Sequence, residues 1–110
     1  MLIGEWDSKP ELRLPSDFDD YLSDAKGYFR GAQLTYKGQV YVLTFYDPVR
    51  LAQEIEADLE RSGFFFEENM IVVREVSRQL LEDAVKKLVA TGQVNQLLPN
   101  ADGPAEQVRE

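Results

Sequence analysis

The chain has 110 residues, with twenty acidic against twelve basic side chains, a net charge of −8, and neither Cys nor His. That length suits one domain around one core, while the missing residue types exclude a disulfide scaffold, a thiolate metal site and a cysteine nucleophile, and remove the commonest general base and zinc ligand. The negative charge repels nucleic-acid backbones and anionic lipid surfaces over about a Debye length, which makes a basic protein the natural partner and plain solubility the competing explanation.

The opening Met-Leu-Ile-Gly-Glu-Trp has no basic region ahead of a long apolar stretch. Nothing later approaches the roughly 20 apolar residues of a membrane span, so the expectation is a cytoplasmic protein with no membrane association. Pro10 and Pro15 flank the alternating Glu11-Leu12-Arg13-Leu14, which predicts an irregular or short-strand lead-in. Ser16, the acids that follow it and Gly27 predict a short helix over 17–25, with Phe18, Tyr21, Leu22 and Ala25 facing inward.

From Tyr28 to Tyr46 the chain is rich in β-branched and aromatic residues, broken at Lys37-Gly38. A two-residue hairpin turn there sets Leu34 against Tyr41 and Ala32 against Leu43, with Phe45 continuing the same core face and Gln33, Thr35 and Thr44 on the other. Asp47 and Pro48 cap and open a helix whose expected apolar stripe is Leu51, Ala52, Ile55 and Leu59, with Gly63 as its left-handed stop.

The apolar runs Phe64-Phe65-Phe66 and Met70-Ile71-Val72-Val73 predict buried strand, either as two strands around Glu67-Glu68-Asn69 or as one bulged strand. Ser77 opens a last helix carrying Leu80, Leu81, Ala84, Val85 and Leu88, with Glu82–Lys86 and Asp83–Lys87 at pairing distance and Gly92 at its end. The helical core anchors are expected to be Ile55, Leu59, Leu81 and Leu88. Residues 99–110 carry no apolar pattern and are expected to form a disordered tail behind a single domain of residues 1–98. The resulting fold class is α+β, a small mainly antiparallel sheet with helices on one face, in the order α-β-β-α-β(β)-α.

Few residues suggest chemistry. Ser23-Asp24-Ala25-Lys26 has the Ser-x-x-Lys spacing of serine β-lactamases, but the partner motifs are missing and the chain is too short for that fold. Asp17, Asp19, Asp20 and Asp24 could attract a divalent cation, yet Leu22 stands where a calcium loop starting at Asp17 needs Gly, and acids in a first helical turn are explained by the helix dipole. No carboxylate pair, phosphate loop or zinc motif is identifiable, so no catalytic residue, no metal and no cofactor is assigned. The aromatics are expected to be core residues, since stacking sites for single-stranded nucleic acid lie in positive grooves.

The least ordinary feature is the helix over 48–62. Glu54 with Asp58, and Glu56 with Glu60, are like-charged pairs four residues apart, each costing about 0.2–0.5 kcal/mol. Residues 47–68 hold seven acids against two bases, −5 of the total −8, whereas residues 74–88 are balanced or slightly basic. Charge so segregated suits a docking face for a basic partner, and the candidate contacts are Glu54, Glu56, Asp58, Glu60, Glu67 and Glu68.

Over about residues 40–90, the hairpin strand ending in Asp47-Pro48, the following Leu51 and Glu54, the strand Asn69-Met70-Ile71-Val72-Val73 and the final helix resemble the small αβ immunity proteins of bacterial polymorphic toxin systems. The resemblance lies in hydrophobic spacing and maps no functional residue. It implies a non-enzymatic protein that binds and blocks a toxin domain, often through an acidic surface. The sequence thus reads as an interaction domain for a basic protein partner. Its alternatives are a structural homo-oligomer and, less favoured, a carboxylate-based enzyme or divalent-metal binder.

Overall fold

A computed structural model describes residues 9–16, 18 and 27–100. The expected helix over 17–25, apart from Phe18, lies outside these residues, as do the Ser23–Lys26 spacing, the aspartates at 17, 19, 20 and 24, and residues 101–110.

The hairpin forms as its turn chemistry dictates. Strand β2 (Tyr28–Tyr36) and strand β3 (Gln39–Tyr46) pair antiparallel, with Leu34 opposite Tyr41, Ala32 opposite Leu43 and Phe29 opposite Phe45. Lys37 at φ 51° and Gly38 at φ 80° supply the two positive φ values of a type I′ turn. The register shifts between Arg30 and Ala32, a bulge at Gly31 that brings Phe29 and Ala32 to one face although they stand three residues apart. Strand β1 (Glu11–Arg13) adds antiparallel to β2, with Leu12 opposite Leu34, and strand β4 (Met70–Val72) adds parallel to β3, with Ile71 opposite Phe45. The sheet order is β1-β2-β3-β4.

Helix α1 (Pro48–Ser62) connects β3 to β4, and helix α2 (Arg78–Thr91) follows β4, with a 3-10 turn over Gln93–Gln96 behind it. Both helices start and stop as expected. Asp47 accepts the Arg50 amide at 2.7 Å and Ser77 that of Leu80 at 3.3 Å, while Gly63 and Gly92 take the left-handed conformation at the C-termini. From Tyr28 onward the succession is strand, strand, helix, strand, helix. Only three residues of the 64–73 region are strand, so neither a second hairpin nor a bulged strand forms there.

One face of the sheet carries the main core. Phe29, Ala32, Leu34, Tyr36, Tyr41, Leu43 and Phe45 pack with Leu81 and Val85 of α2, with Val76 and Val94, and with Phe18, which meets Phe29 edge-on at 5.0 Å. Helix α1 contributes nothing to this cluster and has no buried residue at all. Its Arg50 guanidinium lies 4.5 Å from the ring centre of Tyr28, which stacks on Tyr46 on the opposite face of the sheet. The expectation of helices on a single face therefore describes α2 and not α1.

The expected anchors divide accordingly. Leu81 is fully buried, Ile55 and Leu88 are half-buried, and Leu59 is 47% exposed. The inward residues of α1 are Arg50, Leu51, Glu54, Ile55 and Asp58, all half-buried, while Ala52 is exposed. The helix is thus turned by roughly a fifth of a turn from the expected stripe, toward its charged side. Its contact with the sheet runs through Arg50 on the Tyr28 ring and not through the apolar stripe.

Gly27 fixes the start of α1. At φ 76° its carbonyl accepts the Asp47 amide at 2.8 Å, and a Cβ there would stand 2.8 Å from Arg50 Cβ and from an Asp47 carboxylate oxygen.

Beyond β4, the outer edge of β3 is closed by the segment before the expected tail. Asn69, left-handed at φ 52°, donates from Nδ2 to the carbonyls of Val42 (3.2 Å) and Leu98 (2.8 Å) and accepts the Leu98 amide at 2.8 Å. The Asn100 amide then donates to Val40 at 2.6 Å, so the first residues of the 99–110 stretch are attached to the sheet. Asn69→Ala removes a side chain that acts as a short strand and also places Ala at positive φ. It is expected to cost about 1–3 kcal/mol, read from thermal or urea denaturation.

Candidate functional site

The six candidate acids fall into two groups. Glu54 accepts from Arg50 Nε (3.1 Å) and Nη2 (2.9 Å), and Asp58 is paired with Arg61 one turn along the helix. Glu67 accepts the Tyr46 hydroxyl at 2.9 Å and the Arg30 guanidinium at 3.3 and 3.4 Å. These three carboxylates are therefore committed within the fold. Glu56, Glu60 and Glu68 are exposed and form no ion pair among the described residues. Both arginines of α1 are occupied, so the repulsion expected between Glu54 and Asp58 is offset. The pair Glu56 and Glu60 keeps its repulsion, about 0.2–0.5 kcal/mol at this spacing. On α2, neither Glu82–Lys86 nor Asp83–Lys87 closes into an ion pair; Asp83 instead accepts from Gln79 at 3.0 Å.

Glu67 organises what lies between α1 and β4. Residues 64–68 alternate in exposure: Phe65 and Glu67 are half-buried, whereas Phe64 (63% exposed), Phe66 (71% exposed) and Glu68 turn outward. This is the period of an extended chain anchored at one residue. The expectation that all three phenylalanines are core fails here for that reason. Glu67 is drawn onto Tyr46 and Arg30, and the alternation fixed by that anchor sends Phe64 and Phe66 to solvent.

Tyr46 is fully buried between the sheet and this clamp. Its hydroxyl accepts from Arg30 Nη2 at 2.9 Å while donating to Glu67. Burial first, and then the hydrogen bond to Glu67, push the Tyr46 pKa up to about 12. The Glu67 carboxylate raises the Arg30 pKa in turn. Arg30, Tyr46 and Glu67 thus form a three-residue hydrogen-bonded clamp. Arg30 lies 5.5 Å from the centre of the Tyr28 ring, on which Arg50 also packs, so the clamp and the start of α1 share one aromatic platform.

The exposed side of α1 and the segment that follows it are apolar and acidic. Val49 (69% exposed), Ala52 and Leu59 run along α1 beside Glu56 and Glu60, with Phe64 and Phe66 past its C-terminus. The sequence showed the acids; it did not show that half of the apolar stripe stays uncovered. The one available signal was the three-residue apolar run followed by two acids, since a strand buried on both faces rarely continues into adjacent carboxylates. Among the described residues no group of three His, Cys, Asp or Glu is placed to hold a metal ion, and no helix is long and apolar enough to cross a membrane. No family model, curated protein or solved structure matches the chain.

Proposed function

We propose that this chain is a non-enzymatic interaction domain that binds a basic protein through the outer side of α1 and the segment that follows it. The observation that carries the reading is the exposed series Val49, Ala52, Leu59, Phe64 and Phe66 set beside the unpaired Glu56, Glu60 and Glu68. Large apolar side chains grouped on a surface mark an interaction site, and uncompensated acids at their rim select a cationic partner and speed its encounter. A second copy of the chain is a poor occupant, because a symmetric pairing through this face would set each copy's acids against the other's. The cytoplasm is the proposed setting, and the resemblance to immunity proteins gives the partner a specific form, a basic toxin domain held inactive by coverage.

The test places a photoreactive phenylalanine analogue at Phe66 in the native host and identifies the adduct by mass spectrometry. The expected adduct is one basic protein whose yield falls at least about tenfold in Glu56→Lys/Glu60→Lys, as rim charges act on encounter, and is unchanged in Glu82→Lys on α2. The charge reversal should leave the melting temperature nearly unchanged, since it exchanges one exposed like-charged pair for another. Absence of an adduct, or equal yield in all three proteins, would refute the reading.

A further inference from the structure

Resting on that reading, we infer that the partner element docking on α1 is a basic amphipathic helix lying along its exposed edge. The fifteen residues of α1 span about 22 Å, enough for three to four turns of a partner helix. The exposed edge has the relief that helix packing uses. Val49 and Leu59 stand at its two ends, and Ala52, one turn in from Val49, is the small residue between them. Ridges of one helix settle into grooves of another at interaxial distances of about 8–10 Å, and the short end of that range needs a small side chain at the crossing point.

Glu56 and Glu60 lie one turn apart on the same side of this edge, so cations one turn apart on a partner helix would face both at once. An extended strand has a two-residue period and cannot match positions three and four apart in the same way. The competing element on the protein's own side, the free edge of β4, is only three residues long, which gives a partner strand little to pair with. The helix is thus the element whose spacing matches both the apolar relief and the unpaired acids.

The experiment titrates isotope-labelled full-length protein with three synthetic peptides of equal charge. They are an amphipathic lysine–leucine helix, the same composition scrambled to abolish the apolar face, and an alternating lysine–valine strand former. The helical peptide is expected to shift the amide resonances of residues 49–60 and of Phe64 and Phe66, and to bind at least about tenfold more tightly than either control. Ala52→Leu fills the crossing point at an exposed position, so it should leave the melting temperature unchanged and weaken the helical peptide by about tenfold.

Equal or tighter binding of the strand former, with Ala52→Leu silent and Glu56→Lys/Glu60→Lys still weakening it, would overturn the helical partner and leave the docking face standing. If none of the peptides binds, or if binding ignores the charge reversal, the docking face falls together with the inference.

Discussion

Leu81→Ala should destabilise the domain by about 2–5 kcal/mol, the range for emptying a fully buried leucine site, while Leu59→Ala should cost less than about 1 kcal/mol. The two leucines occupy equivalent places in their sequence patterns, and only the rotation of α1 separates them. Leu81 shares one closed cluster with Val85, Phe45 and Leu43, so truncation there leaves a cavity that the sheet cannot collapse to fill. Leu59 is 47% exposed and already half in water. Urea denaturation of the two variants reads the difference directly. A Leu59→Ala cost equal to that of Leu81→Ala would mean that α1 packs on its expected stripe and that its apolar edge is covered.

The second large effect is alkaline. Tyr46 is held neutral, with its pKa raised from about 10 to about 12 by burial and by donation to Glu67. The folded state therefore keeps the Tyr46 proton more firmly than the unfolded chain does. The stabilisation this linkage supplies is complete below pH 10 and is lost as the pH climbs toward about 12. Its size is on the order of 2–3 kcal/mol, because each tenfold gain in proton affinity corresponds to about 1.4 kcal/mol. The quantity to follow is the stability difference between wild type and Tyr46→Phe at each pH, in which contributions common to both proteins cancel. Below pH 10 the variant should be weaker by about 1–3 kcal/mol, because Glu67 and Arg30 lose a partner at a buried site. The gap should narrow as the pH rises through the window, and a constant gap would contradict the clamp.

The sequence was most informative where a local rule has a single outcome. Lys37-Gly38 demands a type I′ turn, and the β2–β3 register from the turn as far as Ala32 opposite Leu43 follows from it, whereas the shift at the Gly31 bulge beyond does not. Asp47-Pro48, Gly63, Ser77 and Gly92 set the helix ends for the same reason: each satisfies or terminates backbone groups within four residues. Facing was less legible. A stripe of Leu51, Ala52, Ile55 and Leu59 says that a helix has an apolar side, but the direction in which that side points depends on what the sheet presents to it. Here that is the aromatic pair Tyr28 and Tyr46, which takes Arg50.

The candidate site divides along the same line. Residue type and charge density picked out all six acids, but the partners of Glu54, Asp58 and Glu67 come from spatial neighbours. Arg50 and Arg61, the two bases of residues 47–68, lie within one turn of their carboxylates. Arg30 lies 37 residues from Glu67, and nothing in either local sequence joins them. With Glu54, Asp58 and Glu67 tied up in the fold and Val49, Ala52, Leu59, Phe64 and Phe66 exposed, the proposed docking surface gains an apolar part that charge alone did not suggest.

The central claim is that this apolar edge is open in the isolated chain and covered when the protein is at work. Hydroxyl-radical footprinting, performed on the purified protein and on the same protein in native extract, tests it most directly. In the purified protein Phe64, Phe66 and Leu59 should be oxidised rapidly while Phe45 and Leu81 are protected, and in extract the first three should become protected with no change at Phe45 or Leu81. Protection of Phe64 and Phe66 already in the purified protein, or equal oxidation of them in both preparations, would contradict the account.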